Sequence, residues 1–153
     1  MTALLSGSGT ITAHFSSPPF QYREATKPGI RTILSNYEIL GGPATFNLVW
    51  STSRFRDANP NTYAAFVAAF EEATATINRD KRAAAEVYKR MSGTKESVDE
   101  LVKMMEDPLV EYTLAPKGIM KTAEFIARIG TIREAPASWK DLFFPDAQSL
   151  PGS

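Results

Sequence analysis

Apolar residues recur along this chain with two different periods, and the change between them falls near Thr52. Before that point the apolar runs are short and dense, at residues 11–15, 30–34 and 46–50, each flanked by Gly, Pro, Ser or Thr. Such runs read as strands, and Phe46-Asn47-Leu48-Val49-Trp50 is apolar enough for burial on both faces. Residues 2–6 read as the last turn of a helix with Gly7 or Gly9 as its left-handed cap. Residues 20–26 read as a short helix with Pro18 in its opening turn, and Lys27-Pro28-Gly29 then turns the chain.

Beyond Thr52 the period becomes helical. Asn59-Pro60 forms an N-cap and N1 pair, and Tyr63, Phe66, Val67, Phe70, Thr74 and Ile77 then make one apolar stripe. Asp80 caps a second helix whose Ala84, Val87, Tyr88 and Met91 share a face. Ser97 and Glu100 have capping-box spacing for a third, with Val98, Leu101, Val102 and Met105 inward and Pro108 ending it. Ile119, Ala123, Ile126 and Ile129 mark a fourth, closed by Gly130, and residues 138–144 read as a short docking helix. The pattern predicts an α/β protein, with few strands N-terminal and a mainly helical C-terminal part. Three strands leave unprotected edges, so the sheet is either a small one covered by helices or one end of a larger fold.

Composition narrows the function. A chain of 153 residues suffices for one domain with a core, and its 43% hydrophobic and 22% charged content is that of a globular protein. Lys plus Arg equals Asp plus Glu at 17 each, so no net field draws nucleic acid or an anionic membrane. Without cysteine, disulfides, thiolate metal sites and cysteine nucleophiles are excluded. No apolar run reaches membrane-spanning length, and Met1-Thr2-Ala3-Leu4-Leu5 lacks the basic start and apolar core of a signal peptide. Neither direct membrane insertion nor export by this N-terminus is expected.

The segment running from Gly9 through His14, Ser16, Ser17 and Pro18 to Phe20 carries the candidate chemistry. A strand feeding a helix leaves backbone N–H groups and a positive dipole end facing outward, a seat for a polar or anionic ligand. Ser16 and Ser17 offer hydroxyls to ligand oxygens and Phe20 an aromatic surface, although Ser17 serves equally well as a helix cap. His14 is the only histidine. Neighbouring strand residues point to opposite faces and no acid follows, so a cleft-lining role is favoured over general-base catalysis. Gly7-Ser8-Gly9-Thr10 lacks the Lys-Ser/Thr ending of a phosphate loop and reads as a turn. Asn47 and Trp50 are further ligand candidates, with core packing the alternative for Trp50. Arg54 and Arg56 flank Phe55 in a connector where solvent exposure is the default.

The order of these segments also resembles a known family. The runs ITAHFSSPPF, IRTIL and FNLVW, a Gly-Gly-Pro break and the closing SVDELVKMMEDPLVEYTLAPKGIMKTAEFIARIGTI are similar to the C-terminal half of ABC-transporter substrate-binding proteins. The group concerned is the nitrate/sulfonate/taurine and thiamine-precursor type, with the type II periplasmic-binding-protein fold of two α/β lobes. The resemblance spans nearly the whole chain. It implies that residues 1–40 end the second, ligand-binding lobe, that residues 41–45 with Gly41, Gly42 and Pro43 cross back as a hinge, and that residues 46–153 complete the first lobe. It also implies that the facing half of the cleft lies outside this sequence.

The functional expectation is therefore a solute-binding component of an ABC importer, periplasmic or lipid-anchored in its full-length form. Its partners would be a small organic anion or thiamine precursor and a membrane permease, with no cofactor, no metal and no reaction catalysed. Two alternatives stand beside it. One is an enzyme like the thiamine-pyrimidine synthases, which share the architecture but use a cysteine-rich motif that this chain lacks. The other is a helical interaction protein unrelated to transport.

Overall fold

The computed structural model describes residues 2–153; Met1, the first residue of the N-terminal segment discussed above, lies outside the described residues. Nine α-helices and one 3-10 helix follow one another among these residues. They are α1 (Thr2–Leu5), α2 (Phe20–Ala25), α3 (Asn36–Leu40), α4 (Ser53–Ala58), α5 (Pro60–Arg79), α6 (Lys81–Ser92), α7 (Val98–Met105), α8 (Ile119–Arg128), the 3-10 turn Trp139–Leu142, and α9 (Pro145–Gln148).

The capping residues set most of these boundaries. Asp80 ends α5 in an extended conformation and accepts from the Ala83 N–H at 2.9 Å, so one residue both breaks the long helix and starts α6. Ser97 and Glu100 close a complete capping box on α7, and Ser138 with Asp141 does the same for the 3-10 turn. Ser35 and Glu38 form a third, which starts α3, a helix the apolar pattern does not predict. Thr52 caps α4, also unpredicted, by accepting from the Phe55 N–H at 3.1 Å. Asn59 precedes α5 as expected, yet its side chain turns back to donate to the Phe55 carbonyl instead of capping.

Packing falls into two regions. Helices α5, α6 and α7 lie in series, with Ala85 and Leu101 buried between α6 and α7. In the second region residues 115–119 are held between two other segments. Thr45 N–H donates to the Lys117 carbonyl at 2.8 Å on one side, and Ser153 N–H to the Pro116 carbonyl at 2.9 Å on the other. Gly118 allows that approach: it has φ +63°, and a Cβ there would sit 2.9 Å from the Pro43 carbonyl oxygen. Gly152 likewise lies flat against Trp139, where a Cβ would meet the indole at 2.7 Å. The C-terminal segment returns to α5 through Tyr63, which donates to Asp146 and meets Phe144 edge-on, while Arg56 stacks over the same Phe144 ring at 4.4 Å.

The α/β expectation is overturned: the described residues contain no strand and no sheet. Residues 11–15, 30–34 and 46–50 are non-helical, and none of the three pairs with another in a ladder. Without such pairing their side chains have no layer to pack into. Phe15 is 83% exposed and Trp50 85%, and Ile33, Leu34, Phe46, Leu48 and Val49 are exposed as well. Phe46–Trp50, expected to be buried on both faces, is buried on neither. Burial of Trp50 in a core is corrected in the same way.

The consequence is visible in the whole surface. The chain exposes 11184 Å², whereas a folded monomer of its mass exposes roughly 7,700 Å². No large side chain is fully buried among the described residues.

Candidate functional site

Three of the residues singled out in the sequence, His14, Ser17 and Phe20, come together around α2. Its opening turn is made by the backbone: Phe20 N–H donates to the Ser17 carbonyl at 2.9 Å, and Pro19 occupies the cap position without a side-chain bond. The Pro18–Pro19 peptide bond is cis. Ser17 therefore contributes its main chain, not a hydroxyl cap. At 6 residues α2 is also too short to present the dipole-driven anion seat expected at its start.

His14 lies against the same helix, with Nδ1 2.6 Å from Glu24 Oε1. An acid does follow the histidine, contrary to the sequence reading, ten residues on and one helix away. Glu24 is only 5% exposed, so its carboxylate fixes the imidazole ring in place. Ser16 does not join them: its Oγ is buried and makes no hydrogen bond among the described residues. Gln21 Oε1 is in the same condition. Phe20 is half exposed, with the Arg23 guanidinium 5.7 Å from its ring centroid.

The other face of α2 is tied to the far part of the chain. Arg23 donates from Nε and Nη2 to Glu96, which also accepts from the Thr94 hydroxyl. Lys89 Nζ donates to the Glu96 carbonyl at 2.5 Å. The Thr94 hydroxyl, aided by a backbone bond and by Arg23, holds the Glu96 carboxyl below its ordinary value against the opposing effect of burial. Tyr22 donates to Asp107 at 2.7 Å, and burial together with that acceptor raises its phenol above the ordinary tyrosine range.

Asn47 and Trp50 do not reach this cluster; they stand exposed on the extended segment after α3. Gly41 takes φ +68° as the left-handed cap of α3, and the N–H of Gly42 returns to the Tyr37 carbonyl at 2.9 Å. Both glycines thus end a helix, and Pro43 leads into the segment pinned by Thr45 to Lys117.

Chemically, the α2 cluster can orient one imidazole, and Ser16 and Gln21 near it each bury an oxygen without a hydrogen-bond partner. It lacks a hydrogen bond between a hydroxyl nucleophile and His14, the link that nucleophilic catalysis requires. No cluster of three metal-ligating side chains occurs among the described residues, and none of their helices is long and apolar enough to cross a membrane. The Glu24 partner of His14 was not found in the sequence because the two lie on different elements. The one available signal was that Glu24 follows the Ser-Pro-Pro turn by less than two helical turns.

Against models of known families, curated proteins and solved structures, the chain matches none.

Proposed function

We propose that this chain is a solute-binding component of an ABC importer, and that it captures its solute only when further polypeptide covers its open face. The solute is a small organic anion of the sulfonate, taurine or nitrate kind, or a thiamine precursor. The chain delivers it to a membrane permease outside the cytoplasm and catalyses nothing.

The observation that carries the reading is the uncovered apolar surface of residues 11–15, 30–34 and 46–50. The whole chain, polar and apolar surface together, exposes roughly 3,500 Å² more than a folded monomer of its mass, an excess on the scale of an obligate interface to which these segments contribute. Surface of that kind is built to be buried by another polypeptide. Ser16 and Gln21 supply the polar part of the argument. A buried oxygen without a partner costs about 1–3 kcal/mol, and a solute donor admitted by a local opening of the turn that buries them would remove that cost. The order of segments along the sequence supports the transport context.

Calorimetry tests the proposal. The isolated chain should bind none of taurine, alkanesulfonates, nitrate or pyrimidines. Purified from its native source with the polypeptide that covers it, the chain should bind one of them at micromolar concentration, and Ser16→Ala should weaken that binding about tenfold. Silence from the covered form with every solute overturns the transport reading.

The helical fold favours one other reading, a helical interaction protein unrelated to transport. That protein would be a monodisperse monomer or symmetric dimer with a cooperative melt. An open transport component would aggregate or melt broadly.

A further inference from the structure

A groove of about 370 Å³ runs between α3 and α8. Its floor is apolar, from Ile39, Leu40 and Phe125, and its polar lining includes Asn36, Lys121 and Arg128. Ile39 and Phe125 are exposed, and Ile129, one turn beyond Phe125, extends the same apolar face. No acidic side chain lines the groove.

The two cations are held in place without being neutralised. Lys121 Nζ donates to the Leu40 carbonyl, which uses one of its three protons. The Arg128 guanidinium rests 5.5 Å from the Phe125 ring centroid, with its N–H edge free. Neither forms an ion pair with a described carboxylate.

Their spacing selects the occupant. Lys121 and Arg128 stand two helical turns apart on α8, nearly in line on one face and about 10 Å apart along the axis. The headgroup of a small amphiphile would meet one of them. A helix lying along α8 would meet both, because carboxylates at its own positions i and i+7 have the same separation, with apolar residues at i+3 and i+4 between them.

We infer that this groove docks an acidic amphipathic helix of a second polypeptide. The inference rests on the proposed need for a covering polypeptide and is independent of which solute is carried. The apolar anchors on Phe125, Ile39 and Leu40 supply the affinity. The two exposed ion pairs, worth little each, set register and partner choice.

Two labelled, stapled helical peptides of about sixteen residues test it, long enough to span the groove once pre-formed. One carries Glu at positions seven apart with Leu at the third and fourth between; the other carries Lys in place of Glu. In anisotropy titrations against the full chain, the acidic peptide should bind about tenfold or more tighter than the basic one. The K121E/R128E double variant should reverse that preference. Arg128→Gln alone, which spares the Lys121–Leu40 hydrogen bond and adds no acid to the last turn of α8, should keep the wild-type melting profile and weaken the acidic peptide severalfold. Equal binding of the two peptides, no binding of either, or no response to charge reversal overturns the inference. So does displacement of the acidic peptide by equimolar decanoate, which would give the groove to a small amphiphile. Docking of the acidic peptide in a chain whose covered form binds no solute would sink the transport reading alone.

Discussion

Arg23 and Glu96, 73 positions apart, are joined through two guanidinium nitrogens on one carboxylate oxygen. This pair fastens α2, and with it the His14 cluster, to the turn ahead of α7. Glu96 is only 4% exposed, so removing its partner would strand a buried charge. Arg23→Ala should therefore destabilise the chain by about 3 kcal/mol, the lower end for a broken buried pair because Arg23 itself is partly exposed. Arg23→Lys should recover only part of the loss, since an ammonium cannot present the same planar fork. Urea unfolding followed by far-UV dichroism reads both; an unmoved midpoint for Arg23→Ala would show that the pair contributes nothing.

Acid should weaken the same junction. Glu96 is held below its ordinary value of 4.5, so near and below that pH the unfolded chain binds more protons than the folded one. Stability is fully present above 4.5 and falls as pH drops through the lowered value. Glu38 and Glu100 are shifted the same way by the backbone N–H groups of Ser35 and Ser97 and add to the slope. Thr94→Val removes the largest cause acting on Glu96. It should lower stability at neutral pH and flatten the acid limb in urea midpoints measured between pH 3 and 7, roughly the span in which carboxylates titrate. A limb as steep as the wild type's would assign the acid sensitivity to other groups.

At the alkaline end Tyr63 is the reporter. Burial first, then its hydrogen bond to Asp146, pushes the phenol up to about 12. The folded chain then holds a proton that the unfolded chain releases near 10.0, so this contribution is complete below 10.0 and disappears toward 12. Tyr22 and Tyr112 are raised too, and all three should ionise late in a phenolate absorbance titration. Tyr63→Phe should delete one late step and loosen the C-terminal segment from α5. A late amplitude unchanged in that variant would mean that Tyr63 is not held by Asp146.

The helical half was legible because its signals are local. Asp80 and Ser97 with Glu100 act on N–H groups within three positions, and each caps the helix that its spacing predicts. The N-terminal segments were misread because a dense apolar run specifies extended backbone without specifying a partner. Phe46–Trp50 has strand composition, yet a ladder needs a second chain segment in register, and none among the described residues supplies it. The site shows the same division. The helix opening beside Ser17 and Phe20 was legible from the Pro-containing turn, whereas the His14–Glu24 and Arg23–Glu96 pairs depend on how elements pack, which residue spacing does not reveal.

The two tryptophans should report the open face separately. Trp50 is exposed on its extended segment, while Trp139 is buried against Phe143 and Gly152. Trp50→Phe should leave a blue-shifted emission that acrylamide quenches poorly, and Trp139→Phe a red-shifted, readily quenched one. Similar emission from both variants would contradict the exposure of Trp50.

The central claim is that residues 46–50 have no strand partner among the described residues. Amide hydrogen exchange measures that directly. These amides should exchange within about tenfold of the unstructured rate, while those around Ala85 in α6 are slowed far more, as expected where backbone bonds lie in packed helix. Protection of residues 46–50 by about a hundredfold or more in the isolated chain would mean that the segment is already paired and the face closed.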